Sequence, residues 1–310
     1  MMSSPGDSLS GSMITSNAEA LDPVVNDVTP TSRWKCRFLS NPIARISLAL
    51  ILIFAFLAGF TALLGAFGHQ WPCDPNLTNL EQKLLPPSLH HWLGTDNLGR
   101  DVLSRMLHGA SISLTVGLVA VGVSLGIGMI VGAISGYFGG ITDQILMRSV
   151  DALLCFPTFF LILTAVAILG PSLLNIVVVI GLVSWTGTAR LVRGEFLTLR
   201  ETEYVKGARI LGQNSRRIIT RHILPNAAAP IFVTAVLGIP DAILTEAGLS
   251  FLGFGVQPPQ ATWGNIIADS KTYILDAWWL ILFPGLAILI ASLSFYLAGD
   301  ALRESIESRN

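Results

Sequence analysis

Residues Thr198 to Asn226 read TLRETEYVKGARILGQNSRRIITRHILPN, and this stretch is the longest polar interruption in an otherwise apolar second half of the chain. It carries Arg200, Lys206, Arg209, Arg216, Arg217 and Arg221 against Glu201 and Glu203. A basic excess beside apolar spans belongs on the cytoplasmic side of a membrane. Thr198 and Glu201 have the spacing of a capping box, Gly212 is placed to close the helix that follows, and Asn214 or Ser215 can cap a second. Pro225 lacks an amide hydrogen and disfavours helix in the residue before it, so the second helix is expected to end near Leu224. On the first helix Glu201, Val205, Ala208 and Gly212 share one small, largely apolar face, suited to close approach by another backbone. A solvated loop whose arginines merely fix topology remains the alternative from composition.

At these residues a family resemblance is plain. Lys206-Gly207-Ala208, Gly212 and Leu224-Pro225 resemble the Glu-Ala-Ala…Gly…Ile-x-Leu-Pro loop of permease subunits in ATP-binding-cassette (ABC) importers. Lys206 stands where that family has Glu, Gly207 replaces Ala, and His222 occupies the usual Ile position, while the Ala208, Gly212 and Leu224-Pro225 skeleton remains. The resemblance implies coupling helices that sit in a cleft of a cytoplasmic ATPase. It carries that role onto Glu203, Tyr204, Lys206, Gly207, Ala208, Arg209, Gly212, Arg216, Arg217, His222, Leu224 and Pro225.

Composition sets the class. Hydrophobic residues make up 52% of the chain and charged residues 13%, against roughly 25% charged in soluble domains. Several apolar runs exceed the roughly 18 residues that call for a spanning helix. The fold class is therefore an all-α, polytopic membrane protein with about six transmembrane helices. No nucleic-acid signature accompanies the short basic run. No Gly-x-x-x-x-Gly-Lys-Ser/Thr loop exists, so the chain does not hydrolyse ATP by that route, and no enzymatic constellation is evident. On the topology below, Cys36, Cys73 and Cys155 fall inside, outside and within a span and cannot pair within one chain. His90-His91 has no zinc-site spacing.

In chain order, residues 1–32 lack an apolar run and read as a disordered cytoplasmic tail. The first transmembrane segment occupies 33–68: Arg33, Lys35, Arg37 and Arg45 precede the apolar run Ile46 to Phe67, placing the N-terminus in the cytoplasm. An extracytoplasmic loop, 69–110, mixes Pro72, Pro75, Pro86 and Pro87 with Trp71 and Trp92. The core, 111–305, holds five further spans and the cytoplasmic loop 190–226. Ser111 to Ser135 forms the second span, with Gly122 and Gly126, then Gly128, Gly132 and Gly136, at the four-residue spacing of closely packed membrane helices. After a turn at Gly139-Gly140, the third runs from about Ile145 to Leu169, with Arg148 and Asp151 spaced to pair and a kink at Phe156-Pro157. The fourth covers about Leu173 to Ala189. The fifth, about Ala227 to Leu249, is expected to break at Gly238-Ile239-Pro240. The last runs from about Trp278 to Ala298, and 306–310 form a tail. Both termini are expected in the cytoplasm.

Asp241 and Glu246 are the ionisable groups of the fifth span. They either line a permeation route or sit near the outer interface as solvated or paired charges.

Two outer stretches extend the resemblance. Leu93-Gly94-Thr95-Asp96-Asn97-Leu98-Gly99-Arg100-Asp101-Val102-Leu103-Ser104-Arg105 is similar to a signature of the peptide and nickel permease branch, and Leu249 to Pro259 resembles the peptide branch. The resemblance covers roughly Arg33 to Ser305. It implies the type I ABC importer permease fold and a C-type permease subunit for dipeptides or oligopeptides in a prokaryotic plasma membrane. It further implies a second, homologous permease, two cytoplasmic ATP-binding subunits that hold ATP and Mg, and an extracytoplasmic peptide-binding protein, with no cofactor in this chain. A nickel or other small-solute importer is the near alternative. A proton-coupled carrier or channel is the distant one.

Overall fold

The computed structural model describes residues 38–67 and 71–307. The 1–32 tail, Arg33, Lys35, Cys36 and Arg37 lie outside the described residues. Apart from a bridge between Thr95 and Asp101, regular structure among the described residues is helical.

Helix α1 spans Pro42–Ala66; Asn41 caps it by accepting from the Ile43 amide, and Pro42 occupies a position where its missing N–H costs nothing. Helix α2, Val102–Phe138, begins nine residues before the expected Ser111 because Asp101 Oδ2 accepts from the Ser104 amide at 2.8 Å. Its polar first turns are helical because Ser104 and Arg105 are buried instead of facing water.

The third span differs most from expectation. Gly139 and Gly140 both adopt positive φ, 67° and 58°, and turn the chain into α3, Gly140–Leu154. Helix α4, Thr158–Leu169, follows after Pro157 at a bend of 82°. The break is a corner and not a kink, since Pro157 can neither donate to the preceding turn nor leave Phe156 in helical geometry. With 15 and 12 residues, neither helix alone crosses a hydrocarbon core of about 30 Å. The described residues thus contain five helices long and apolar enough to span, or up to six if the bent pair is one span.

Helix α5, Leu173–Arg200, continues well beyond the expected Ala189. It is followed by the short α6, Glu203–Ile210, and α7, Ser215–Ile218. Helix α8, Leu224–Phe251, runs unbroken through Pro230 and Pro240, contrary to the expected interruption at 238–240. Ile239 and Ile243 flank the lost rung and are buried with Leu114 of α2, which holds the helix in line. The short α9, Trp263–Asp269, carries a reciprocal capping box between Thr262 and Asn265, and α10, Trp279–Glu307, closes the described chain.

The most extensive helix pairing is α2 against α5. A Cβ on Gly128 would meet Thr188 Cβ at 2.6 Å, one on Gly132 the Val192 Cβ at 2.7 Å, and one on Gly136 the Phe196 Cβ at 2.6 Å. These three glycines set the helix separation, as small residues do in lipid. Gly122 and Gly126, of the same spacing, face open space. Around this pair, Val116, Ala120, Ile176 and Ile180 pack with Ile162 and Val166 of α4 and Leu249 of α8. Helices α1 and α10 join α2 and α8 through Ala58, Ala291 and Phe295.

Candidate coupling hairpin and transmembrane cavity

The α6–α7 hairpin stands on the end of the α2–α5 pair. Thr198 does not open it: the residue lies inside α5 and its hydroxyl donates to the Gly194 carbonyl at 3.1 Å. No capping box forms with Glu201, because α5 extends past the end of its apolar run, and α6 starts after Thr202. Gly212 does close α6. Its φ of 72° lets the Gly212 amide donate to Arg209 O and the Gln213 amide donate to Ala208 O, the paired bonds of a Schellman motif. Asn214 then caps α7, accepting from the Arg216 amide.

Pro225 does not terminate the second helix. One π-helical turn, Ile219–Ile223, precedes α8, so that the Leu224 amide donates to Ile219 O and Pro225 falls at the start of regular α-helix, where no amide is needed. Asn226 Nδ2 donates to His222 O at 2.6 Å. Helix thus runs from Ser215 to Phe251, joining the hairpin to a span without a flexible joint.

The small face of α6 is spent within the chain. Val205 and Ala208 are buried with Ile218, Ile223 and Ala227 of the following helix, Val192 and Phe196 of α5, and Ala133 and Tyr137 of α2. Glu201 and Gly212, expected on the same face, are exposed. Arg209 lies 5.7 Å from the Tyr137 ring centroid, and His222 Nε2 is 3.0 Å from Gln213 Oε1. Lys206 Nζ is 3.7 Å from Glu201 Oε2 and 4.0 Å from Glu203 Oε1. The outward surface consists of Glu203, Tyr204, Lys206, Arg209, Arg216 and Arg217, together with Ile210 and Leu211, which are 86% and 81% exposed. Ile210 and Leu211 were not singled out in the sequence. Their position opposite Val205 and Ala208, just before a helix-closing glycine, is the signal that could have found them. Leu224 is half-buried and Pro225 exposed at the base, and Gly207 has open space beside it.

Two ion pairs brace α3 against α5. Arg193 binds Asp143 through both arms, at 2.5 and 2.6 Å, and Ser135 of α2 donates to the same carboxylate. Arg190 Nη2 donates to Asp151 Oδ1 at 2.6 Å. The expected pairing of Asp151 with Arg148 on its own helix does not form; Asp151 is taken instead by Arg190 of α5.

The Leu93–Arg105 signature is folded around a buried charge cluster. Asp96 accepts from the Leu98 and Arg100 amides at 2.9 Å each and from Arg100 Nε at 2.6 Å. Arg105, 2% exposed, lies 3.6 Å from Asp96 and 3.7 Å from Asp269 of α9. Burial pushes the Asp269 carboxyl above the usual carboxylate range, with the Arg105 and Arg100 guanidiniums pulling it back.

Asp241 and Glu246 have separate surroundings. Asp241 is exposed and lines a cavity of about 510 Å³ between α2, α5 and α8. Glu246 does not line it: it is 1% exposed and accepts from Ser250 Oγ at 2.7 Å. Five residues apart on one helix, the two point to different sides. Among the described residues no group of three His, Cys, Asp or Glu side chains could hold a metal ion.

Comparison with known proteins matches this architecture to one family. Residues 128–310 match the binding-protein-dependent transport system inner membrane component family. The chain is 40% identical over 290 residues to the dipeptide transport system permease protein DppC of Alkalihalophilus pseudofirmus, covering 93% of each chain. It is 38% identical over 281 residues to the oligopeptide transport system permease protein OppC of Bacillus subtilis, covering 90% of each. To the glutathione transport system permease protein GsiD of Pectobacterium atrosepticum it is 36% identical over 290 residues, covering 93% of this chain and 95% of the relative. The chain belongs to the binding-protein-dependent transport system inner membrane component family, as the multi-pass permease of a bacterial inner-membrane ABC importer and not its ATPase.

Proposed function

We propose that this chain forms one half of the translocation pathway of an ATP-driven importer of di- or oligopeptides. Relatives named for dipeptide, oligopeptide and glutathione transport support the substrate class. On this reading both termini lie in the cytoplasm, a homologous permease completes the pathway, and an extracytoplasmic binding protein delivers the peptide. Two cytoplasmic subunits bind ATP with Mg and close on the coupling hairpin.

The observation that carries the mechanism is the hairpin's attachment. Its inner face is buried against α2 and α5, and its second helix continues through Pro225 into α8. A push on the exposed face at Tyr204, Ile210 and Leu211 therefore moves spans instead of bending a loop. Such movement is the requirement for alternating access, in which the cavity faces one side and then the other. Lys206, occupied by Glu201 and Glu203, stays on the hairpin's own surface, which leaves the apolar tip and Arg209, Arg216 and Arg217 to meet the ATPase.

The test is uptake of labelled dipeptides, pentapeptides and nickel by cells with and without this chain, repeated after ATP depletion with the proton gradient held. Loss of ATP-dependent uptake of one peptide class on deletion is expected. Loss of nickel uptake alone, or uptake that follows the gradient regardless of ATP, would overturn the reading.

A further inference from the structure

The cavity between α2, α5 and α8 has an uneven chemistry. Asp241 is the one ionisable residue in its lining, and the other polar groups there are hydroxyls, including Ser124, Ser184, Thr188, Thr234 and Thr245. No ion pair or hydrogen bond joins the Asp241 carboxylate to another described residue. An unpaired charge within a span costs about 3 kcal/mol on insertion scales, and such groups face water-filled or ligand-bearing spaces.

The hydroxyls sharpen the asymmetry. Thr245 Oγ1 donates to Asp241 O at 2.7 Å, and Thr234 Oγ1 donates to Pro230 O at 3.0 Å. Their protons are committed to helix carbonyls, so what they offer a ligand is lone pairs. One carboxylate with two acceptor-only hydroxyls on its own helix, and further hydroxyls that can turn to accept, suits a cation that is itself a multiple hydrogen-bond donor. A hard divalent metal ion would need more oxygen ligands of higher charge than one carboxylate and neutral hydroxyls. A primary ammonium needs one negative charge and two acceptors for its three N–H groups. The volume, about 510 Å³, lies in the range of small-molecule sites.

We propose that Asp241 and the hydroxyls around it form a subsite for a protonated primary amine, the α-ammonium end of a peptide in transit. The inference rests on the peptide-transport reading above. It adds that the membrane domain recognises the one feature every unmodified peptide shares, leaving side chains free to vary.

The experiment uses the reconstituted complex of both permeases and both ATPases, without binding protein, and reads the cavity directly. Leu237→Cys, in the same lining one turn before Asp241, is introduced with Cys36, Cys73 and Cys155 replaced by serine, and its labelling by a small thiol reagent is timed against increasing trialanine or N-acetyl-trialanine. Trialanine is expected to protect at about tenfold lower concentration, the size of one charge-assisted hydrogen bond. In Asp241→Asn the two peptides should protect equally, and Asp241→Glu should restore part of the difference. Equal protection by both peptides with Asp241 intact, or no protection by either, would overturn the subsite. So would loss of the permease pair in Asp241→Asn with recovery in Asp241→Glu, which would assign the carboxylate to a cation of the neighbouring permease. Peptide uptake by the complete complex with its binding protein is measured in parallel. Absent uptake with intact, ammonium-dependent protection would remove the importer reading alone.

Discussion

Arg193 grips Asp143 with two parallel hydrogen bonds, Nε to Oδ1 at 2.5 Å and Nη2 to Oδ2 at 2.6 Å, across 50 residues of sequence. The contact fixes the start of α3 to the C-terminal half of α5, and Ser135 of α2 shares the carboxylate. With Arg193 partly exposed, the pair is expected to contribute about 1 kcal/mol, below the range for buried charged bonds. Arg193→Lys, which keeps the charge but loses the fork, should lower the thermal midpoint of the purified complex. A double-mutant cycle with Asp143→Asn should show coupling of that size, and strictly additive effects would refute it.

Asp96 holds the Leu93–Arg105 signature together while its charge neutralises two buried arginines. Asp96→Ala leaves Arg105 with only Asp269, equally near but far more exposed, and removes the buried carboxylate that also binds Arg100, so it should cost about 3–5 kcal/mol. Poor accumulation of Asp96→Ala beside near-normal Asp269→Asn, compared on immunoblots of membranes, is the expected outcome.

Gly132 meets α5 where a Cβ would lie 2.5 Å from Ala189 O. Backbone cannot yield as a flexible side chain does, so Gly132→Val should separate α2 from α5 at a cost of about 3 kcal/mol. Gly126→Val on the same helix faces open space and should be tolerated. Detergent extraction followed by size-exclusion chromatography distinguishes the two.

Gly212 has a φ of 72°, and a Cβ at this position would meet nothing within 4 Å. Its constraint is therefore conformational, about 1–2 kcal/mol for a side chain in the left-handed region. Gly212→Val should reduce peptide uptake per ATP hydrolysed, whereas Gly212→Asn, which tolerates that region, should retain most of it. Equal ratios in the two variants would separate the turn from coupling.

Ile210 and Leu211 bury almost nothing in this chain. Ile210→Ser with Leu211→Ser should leave the fold unchanged and weaken association with the ATPase by about tenfold or more, measured by co-purification at graded detergent wash. Unaltered association would move the docking surface elsewhere on the hairpin.

The hairpin shows how far local pattern reaches. Gly212 and Asn214 are legible because a helix stop and a helix cap are decided within a few contiguous residues. Thr198 and Glu201 misled because the same spacing occurs inside a long helix, where the preceding turn already supplies the bonds a cap would make. Pro225 misled in the opposite direction: one π turn upstream absorbs the missing amide, and nothing in the neighbouring residues announces it. The glycines at 128, 132 and 136 are indistinguishable by spacing from 122 and 126, yet only the former meet α5.

The sequence by itself determined an all-helical membrane class, most of the span positions and the basic, glycine-closed hairpin, because hydropathy, charge asymmetry and capping are properties of contiguous residues. Tertiary structure alone decided the corner at Pro157, the partners of Asp143 and Asp151, the shared burial of Arg105 with Asp96 and Asp269, and the placement of Asp241 in a cavity while Glu246 is enclosed. Each of those depends on which helix faces which across tens of residues, and periodicity along one helix carries no information about its neighbour.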